Sequence, residues 1–340
     1  MYTSFCTEMA TQPVNGSPQV VRQIRTDDLE EHTQQLLDWQ LEYDQLDCGR
    51  FEGSFLDVRL PGMQLFVERT SRCLHQSGVL SAGSVSAAMM LSGQGELVIN
   101  GVRPGASGLA SVHDGELQMT TPADCSFAGV VVDEALLQQA SQDLLGRPLS
   151  ICRGLVTGLS TSEQQVKPFA AALRAGLLLA SAGAGSLDEA GARQELRDNV
   201  LVQMVHVLAD SRDADQEGRA SQRKRLVDRA CELMMARPDE PPSLDEVCST
   251  VGASLRKLNY CFQDVLGLSP NRYIRALRLN AARRELRRCA DPALSVYDVA
   301  SRWGFWHFGR FSCDYKRQFC ESPSQSLRRA RLSGGQALNA

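Results

Sequence analysis

The sequence has no apolar run that could cross a membrane. Its longest apolar stretches, such as AGLLLASA from Ala175, are far shorter than the roughly 20 residues of a membrane-spanning helix. The amino terminus shows no cationic start followed by an apolar segment, so we predict no secretory signal. Both absences favour a cytoplasmic protein with no membrane partner.

Cysteine and histidine are present, but not in metal-binding or disulfide patterns. The eleven cysteines include no CxxC pair, and the five histidines include no HxH pair. An odd number of irregularly spaced cysteines is typical of reduced thiols in a cytoplasm. The chain also lacks a Gly-rich phosphate loop and a recognisable catalytic constellation. We therefore expect no metal, no other cofactor and no enzymatic activity.

The formal net charge of -4 hides an uneven distribution. Residues 1–220 contain 15 Lys and Arg against 28 Asp and Glu, a balance of -13, whereas residues 221–332 contain 21 against 12, a balance of +9. A basic module on an acidic body is typical of proteins that bind nucleic acid or an anionic membrane, although solvated Arg-rich helices give the same pattern. The polar segment ADSRDADQEGRASQ, residues 209–222, predicts a linker between the two parts.

The basic module contains an internal repeat. SLDEVCSTVG, from Ser243, aligns with LSVYDVASRWG, from Leu294, and the helical apolar pattern ends at Gly252 in the first and at Gly304 in the second. Each glycine predicts a helix end, because glycine adopts a positive φ at little cost. A longer helix with one apolar stripe follows each glycine. We therefore predict two helix-turn-helix units.

The segment SPNRYIRALRLNAARRELRRC lies between the two units and predicts a long connecting helix. A rigid helix could hold two recognition helices about 34 Å apart, so that both enter successive major grooves on one face of DNA. Its apolar residues form one helical face. Its other faces carry seven arginines: Arg272, Arg275, Arg278, Arg283, Arg284, Arg287 and Arg288.

Aromatic residues make up only 6% of the chain, yet they cluster with cations in GFWHFGRFSCDYKRQF, residues 304–319. Helix-turn-helix proteins read base edges in the groove rather than splayed bases. We therefore predict that Phe308, Phe311, Tyr315 and Phe319 belong to the core and that the cations between them face DNA.

The predicted DNA contacts are the residues off the apolar stripe of each second helix. Arg310 could pair with guanine or with a phosphate, Arg256 and Asn259 are candidates for base contact, and His307 could cap its helix or touch a phosphate. Simple solvation of these side chains is the alternative. The full predicted set is Ser254, Arg256, Lys257, Asn259, Tyr260, Trp306, His307, Gly309 and Arg310.

The motifs SPNRYIRALRLNAARREL and SVYDVASRWGFWHFGRFSCDYKRQFCESPS, with the doubled helix-turn-helix, resemble the DNA-binding domain of the AraC/XylS family of bacterial transcription regulators. The resemblance covers about residues 223–332. It implies seven helices, two of them recognition helices, and no catalytic activity in this domain. It also implies double-stranded DNA and RNA polymerase as partners.

The acidic body has a different pattern. From Asp27, DDLEEHTQQLLDWQLEYDQL predicts a helix, the short strands that follow predict a compact β-barrel, and residues 133–209 predict helices again. This order resembles the cupin-like sensor and dimerisation region of such regulators, with a small-molecule effector inside the barrel mouth. A narrower resemblance, of LLDWQLEYDQLDCGRFEGSFLDV and GFWHFGRF to regulators of ethanolamine-utilisation operons, implies ethanolamine or a cobalamin as the effector.

The predicted fold class is α+β. Residues 1–210 form a cupin-like β-barrel with helices, 211–222 a linker, 223–332 an all-α domain of two helix-turn-helix units on a long helix, and 333–340 a disordered tail. We predict an effector-responsive transcriptional regulator, in the first place an activator. A DNA-binding scaffold with no small-molecule input is the alternative. Apolar residues from Leu196 to Leu208 form a helical seam that could pack internally or against a partner, and we predict a homodimer.

Overall fold

The computed structural model describes residues 20–36, 39–104, 108–150, 156–158, 163–181, 187, 189–209, 217–288 and 293–337. A mixed α/β domain comes first. Its strands are β1 (Val21–Thr26), β2 (Gln40–Gln45), β3 (Gly53–Leu60), β4 (Met63–Thr70), β5 (Leu74–Ser92), β6 (Val98–Ile99), β7 (Leu109–Thr121), β8 (Cys125–Asp133) and β9 (Val156–Gly158). Its helices are α1 (Leu29–Gln34), α2 (Glu134–Leu145), α3 (Glu163–Ser181) and α4 (Ala190–Ala209).

The strands form one antiparallel sheet in the order β1-β3-β4-β8-β5-β7-β6. In addition, β2 pairs with β5, and β9 pairs with β7. The long strand β5 changes register between Leu80 and Val85, which lets it pair with β2 along its first half and with β8 along its second. Within the described ranges no pairing joins β1 to β6. The predicted barrel is therefore a curved sheet that hydrogen bonds do not close.

The periodicity of the segment that begins at Asp27 predicted one helix, and the structure contradicts this prediction. The helix α1 ends at Gln34, and residues 40–45 form β2 instead. In β2 Leu41 and Tyr43 are buried on one face while Glu42 lies on the other, which is the period of a strand. The backbone of β2 pairs with β5 over its whole length. Tertiary pairing has overridden the local helical pattern here.

The helices α3 and α4 cover one face of the sheet. Leu196, Val200 and Met204 of α4 are buried in a core that also contains Phe169 of α3 and Val58 of β3. The apolar seam from Leu196 therefore packs inside the chain, which was one of its two predicted uses. The homodimer stays a prediction.

Within the described residues, the carboxyl-terminal domain contains seven helices, the number that the family resemblance implies. They are α5 (Glu217–Ala236), α6 (Leu244–Val251), α7 (Leu255–Leu266), α8 (Pro270–Arg288), α9 (Val296–Arg302), α10 (Phe308–Phe319) and α11 (Pro323–Ala337). The helix α8 is the predicted connecting helix. With 19 residues it is roughly 28 Å long at the usual helical rise.

Both helix-turn-helix cores are built on α8. Its first half adds Tyr273 and Ile274 to a core that contains Phe262 of α7. Its second half adds Leu286 to a core that contains Phe311 of α10. The two units are thus fixed to one continuous helix rather than joined by a loop.

Three local predictions differ from the structure. The helix α5 begins at Glu217, so the second half of the predicted linker is helical, in keeping with its Glu, Arg, Ala and Gln content. The helix α11 extends to Ala337, into the predicted tail. Phe308 is not a core residue, because it is 41% exposed at the start of α10, whereas Phe311, Tyr315 and Phe319 are buried.

Two further findings concern the described residues only. None of their helices combines the length and apolar character needed to cross a membrane. None of their His, Cys, Asp and Glu side chains form a group of three or more that could hold a metal ion.

The contrast between Phe311 and Phe308 gives a test of the core. Phe311 is 1% exposed and contacts the rings of Phe305 and Tyr315. We expect Phe311→Ala to cost roughly 3–5 kcal/mol of stability because a buried ring leaves a cavity. We expect Phe308→Ala, the matched control, to cost about 1 kcal/mol or less. Urea unfolding followed by circular dichroism measures both, and equal losses would contradict the assignment.

Candidate DNA interface

The first helix-turn-helix unit is defined by a cap at each turn. Ser243 and Glu246 form a capping box at the start of α6, and Gly252 ends this helix with a φ of 68°. The hydroxyl of Ser254 then accepts a hydrogen bond from the backbone N–H of Lys257 (3.3 Å) and caps α7. These local interactions fix where α7 begins, and Leu258 and Phe262 fix its buried face.

The second unit repeats this design. Ser295 and Asp298 form a capping box at the start of α9, and Gly304 follows the helix with a φ of 74°. A Cβ atom at Gly304 would lie 2.3 Å from the carbonyl oxygen of Pro238, so this position has no room for a side chain. The turn is therefore held by backbone conformation and by close packing against the segment before α6.

Both units expose the beginning of their second helix. Residues 254–257 are all exposed in the first unit, and residues 306–310 are all exposed in the second. The exposed fraction is 59% for Tyr260, 67% for Trp306 and 71% for the side chain of Arg310. The nine predicted DNA contacts thus lie on the two surfaces where the pattern placed them, with Asn259 the most covered of them. Their contact with DNA stays a prediction.

Some of these residues have additional or different roles. Ser254 is a helix cap, as described above, and the amide of Asn259 donates to the carbonyl of Leu255 (2.9 Å) on its own helix. His307 occupies the position before α10 but makes no side-chain capping bond there, so the capping alternative is wrong and the phosphate contact stays a prediction. A Cβ atom at Gly309 would meet nothing within 4 Å, which indicates an open surface at this residue.

A buried carboxylate anchors α10. Asp314 is 8% exposed, forms ion pairs with Arg275 of α8 and with Arg317 (2.8 Å), and lies 4.0 Å from Arg310. Because Arg275 comes from the connecting helix, this pairing fixes the orientation of α10 relative to α8. The sequence pattern placed Arg275 off the apolar face of that helix and missed this role.

A network of ion pairs joins the two domains. Arg283 of α8 is 7% exposed and pairs with Asp28 (2.8 Å) and with Glu321 (3.0 Å). Burial acts to lower the pKa of Arg283, but the charges of Glu30 and Asp28 raise it above its ordinary value. Burial likewise acts to raise the pKa of Asp28, but Arg283 and Arg287 lower it. Both groups are therefore charged at neutral pH.

Arg284 extends this network to β2. It pairs with Asp44 (2.7 Å) and with Glu42 (2.7 Å). The sequence pattern placed Arg283, Arg284 and Arg287 off the apolar face of the connecting helix and gave them no partner. The signal that could have revealed them is the charge balance, because an acidic body and a basic module can neutralise each other as well as bind other partners.

Uncharged hydrogen bonds complete the domain interface. Asn280 of α8 donates to the carbonyl of Gln45 (2.9 Å) and accepts from its N–H (3.0 Å). The side chain of Gln318 in α10 donates to the same carbonyl (2.7 Å), and the side chain of Gln45 donates to the carbonyl of Gln318 (2.8 Å). The end of β2 is thereby bonded to both α8 and α10.

A family model matches part of the carboxyl-terminal domain. Residues 247–329 match the family model described as a helix-turn-helix domain. A probable thc operon regulatory protein of Rhodococcus erythropolis is 41% identical over 104 residues, which cover 30% of this chain and 31% of that protein. XylDLEGF operon transcriptional activator 1 of Pseudomonas putida is 36% identical over 93 residues, which cover 26% and 27%.

Among solved structures, a transcriptional regulator from Chromobacterium violaceum, described as containing an AraC-type DNA-binding domain, is 30% identical. The match covers 32% of this chain and 96% of that one, with a TM-score of 0.30. The chain spans less than a third of the length of the two curated relatives. The matched proteins are regulators and not enzymes.

The domain interface is expected to depend on pH through His75. This side chain is 6% exposed and its ring meets the edge of Tyr273 in α8. Burial lowers its pKa to about 4, the charge of Lys224 acts in the same direction, and Asp228 opposes them. Between pH 6.5 and 4 the unfolded chain binds more protons at this site than the folded chain does. The free energy of unfolding therefore decreases as the pH is lowered, by up to roughly 3 kcal/mol at pH 4.

Replacing His75 removes this contribution. We expect His75→Phe to flatten the loss of unfolding free energy between pH 6.5 and 4, measured by urea titration at several pH values. His206→Phe, at an exposed position of α4, is the control and should keep the slope of the wild type. Identical slopes in all three proteins would show that His75 is not neutral in the folded chain.

Proposed function

We propose that this chain, through the helix-turn-helix domain within residues 247–329, binds double-stranded DNA as a transcriptional regulator of the AraC/XylS type. The observation that carries the proposal is the pair of exposed helix starts, residues 254–257 and 306–310, on two units that share α8. A helix with one buried face and an open amino-terminal half is suited to a major groove.

The connecting helix supports simultaneous binding by both units. Its length of roughly 28 Å is close to the 34 Å between major grooves on one face of DNA. Because each unit packs on its own half of α8, the two recognition helices keep a fixed spacing without DNA. A rigid arrangement of this kind requires little ordering when it binds. The chain would therefore cover two successive grooves.

A small-molecule input is part of the proposal. The amino-terminal domain contains a cavity, described below. The same domain contacts α8 and α10 directly, so a molecule bound in the cavity could alter the position of these helices. Activation would in addition require contact with RNA polymerase. The finer expectation, ethanolamine or a cobalamin as effector, stays a prediction. The alternative, a DNA-binding scaffold without an effector, predicts that no metabolite changes DNA affinity.

We also propose a homodimer. The apolar residues of α4 cannot form its interface, because they are buried inside the chain. The open surface of α3, where Leu178 is 70% and Leu179 46% exposed, is a position where a second copy could pack. Sedimentation velocity with and without DNA measures the mass. A monomer at every concentration up to the high micromolar range, in both conditions, would refute the dimer.

Arg310 provides the test of DNA reading. We expect Arg310→Ala to lose about 1–3 kcal/mol on a duplex selected by the wild type and to relax preference at one base pair. If Arg310 contacts only a phosphate, affinity falls on all duplexes and the salt slope drops by about one. Titrations of selected and random duplexes at two salt concentrations distinguish the two cases.

Arg317→Ala is the matched control for this experiment. Arg317 lies on the last turn of the same helix, its side chain is 67% exposed, and it also pairs with Asp314. We expect its loss to leave base preference unchanged. Wild-type affinity of Arg310→Ala for every duplex, or equal effects of both substitutions, would contradict the placement of the reading surface at the start of α10.

A further inference from the structure

The curved sheet of the amino-terminal domain encloses a cavity whose wall is almost entirely apolar. The space inside it that the centre of a water molecule can reach is about 40 Å³. Trp39, Phe66 and Phe127 form an aromatic side of the wall, in which Phe66 meets Trp39 edge-on (4.7 Å between centroids) and Phe127 edge-on (6.0 Å). The remaining wall is aliphatic apart from Gln76 and Ser86.

Gln76 is the unusual member of this wall. It is 0% exposed, and neither its amide nitrogen nor its amide oxygen has a hydrogen-bond partner among the described residues. The hydroxyl of Ser86, in contrast, donates to the carbonyl of Val112 (3.1 Å). A buried amide without partners destabilises a protein, and such groups are rare in folded chains. Gln76 therefore offers the N–H donors of its NH₂ group and a carbonyl acceptor to an occupant of the cavity.

The cavity offers nothing to a charged occupant. The described residues that form its wall include no Asp, Glu, His, Lys or Arg. Glu68, a buried carboxylate of the same domain, is not part of the wall and already binds His32 (2.7 Å) and the hydroxyl of Tyr43 (3.2 Å). A cation or anion would lose its hydration here without gaining a partner of opposite charge.

We propose that this cavity is the effector site and that its ligand is a small, uncharged molecule with an apolar body and one hydroxyl or primary amide group, which Gln76 recognises. The proposal rests on the effector-responsive function above, because it names the ligand class of that input. It argues against the ethanolammonium cation, which carries an unpaired charge, and against a cobalamin, which exceeds the cavity many times in size.

A titration of the full-length chain without DNA tests the ligand class. The neutral probes are 1-propanol and propionamide, and the charged probes are ethanolamine and propionate. Ethanolamine and 1-propanol have the same size and differ in one end group. Met119 is 5% exposed and lies in the cavity wall, so the NMR signal of its ¹³C-labelled methyl group reports the site. Met204, a buried residue of α4 in the other core of this domain, is the internal reference.

We expect both neutral probes to shift the Met119 signal saturably, with charged probes binding at least about tenfold more weakly. A charged probe that binds as tightly as 1-propanol would overturn the proposal. So would the absence of any saturable shift with neutral probes up to about 50 mM, a range that covers the affinity expected of four or five non-hydrogen atoms. DNA binding is measured separately, so failure here leaves the DNA-binding function standing.

Gln76→Leu tests the recognising group. The substitution keeps the size of the side chain and removes the unpartnered amide, so the melting temperature should not fall. The affinity for 1-propanol should drop roughly tenfold, the value of a hydrogen bond made in a buried site. The affinity for 1-chloropropane, which has the same length and no strong hydrogen-bonding group, should not drop.

Gln118→Leu is the matched control, because Gln118 alternates with wall residues Leu117 and Met119 on β7 and so points away from the cavity. It should leave both affinities unchanged. Unchanged selectivity between 1-propanol and 1-chloropropane in the Gln76→Leu protein would show that Gln76 does not read the ligand.

Discussion

The packing of the connecting helix α8 determines most of this structure. It contributes apolar side chains to both helix-turn-helix cores, and its polar side chains pair with the amino-terminal domain. The buried pair Arg283–Asp28 belongs to a wider network, since Arg283 also pairs with Glu321 (3.0 Å) and Asp28 also pairs with Arg287 (2.8 Å). The position of α10 depends on the same element, since Asp314 of α10 pairs with Arg275 of α8.

The strands β2 and β5 connect the cavity to this helix. Gln76 of β5 is paired with Tyr43 of β2, and Leu41 of β2 is part of the cavity wall. On the same two strands, His75 contacts Tyr273 and Asp44 pairs with Arg284, both on α8. Because side chains alternate across a strand, one ribbon presents the cavity wall on one face and the attachment of the DNA-binding domain on the other. An occupant that moves the ribbon acts on α8 without an intermediate element.

The helix-turn-helix units show why some local features are readable in a sequence. A serine, a carboxylate three residues later, an apolar stripe and a glycine define each short helix through contacts within about four residues. The two units, the connecting helix and the exposed starts of α7 and α10 follow from such patterns. Phe308 was misplaced because the period that buries Phe311, Tyr315 and Phe319 leaves Phe308 at the helix start, where the chain has no core left to cover it.

The sequence by itself therefore determined the paired helix-turn-helix units and the exposed helix starts for which we propose DNA contact, because each depends on spacing within one helix or one turn. The tertiary structure decided what depends on distant residues. It made β2 from a segment with helical periodicity, through pairing with β5. It placed Arg283 and Arg284 against carboxylates more than 200 positions away. It left the Gln76 amide without a partner, since burial beside a cavity cannot be read from neighbours along the chain.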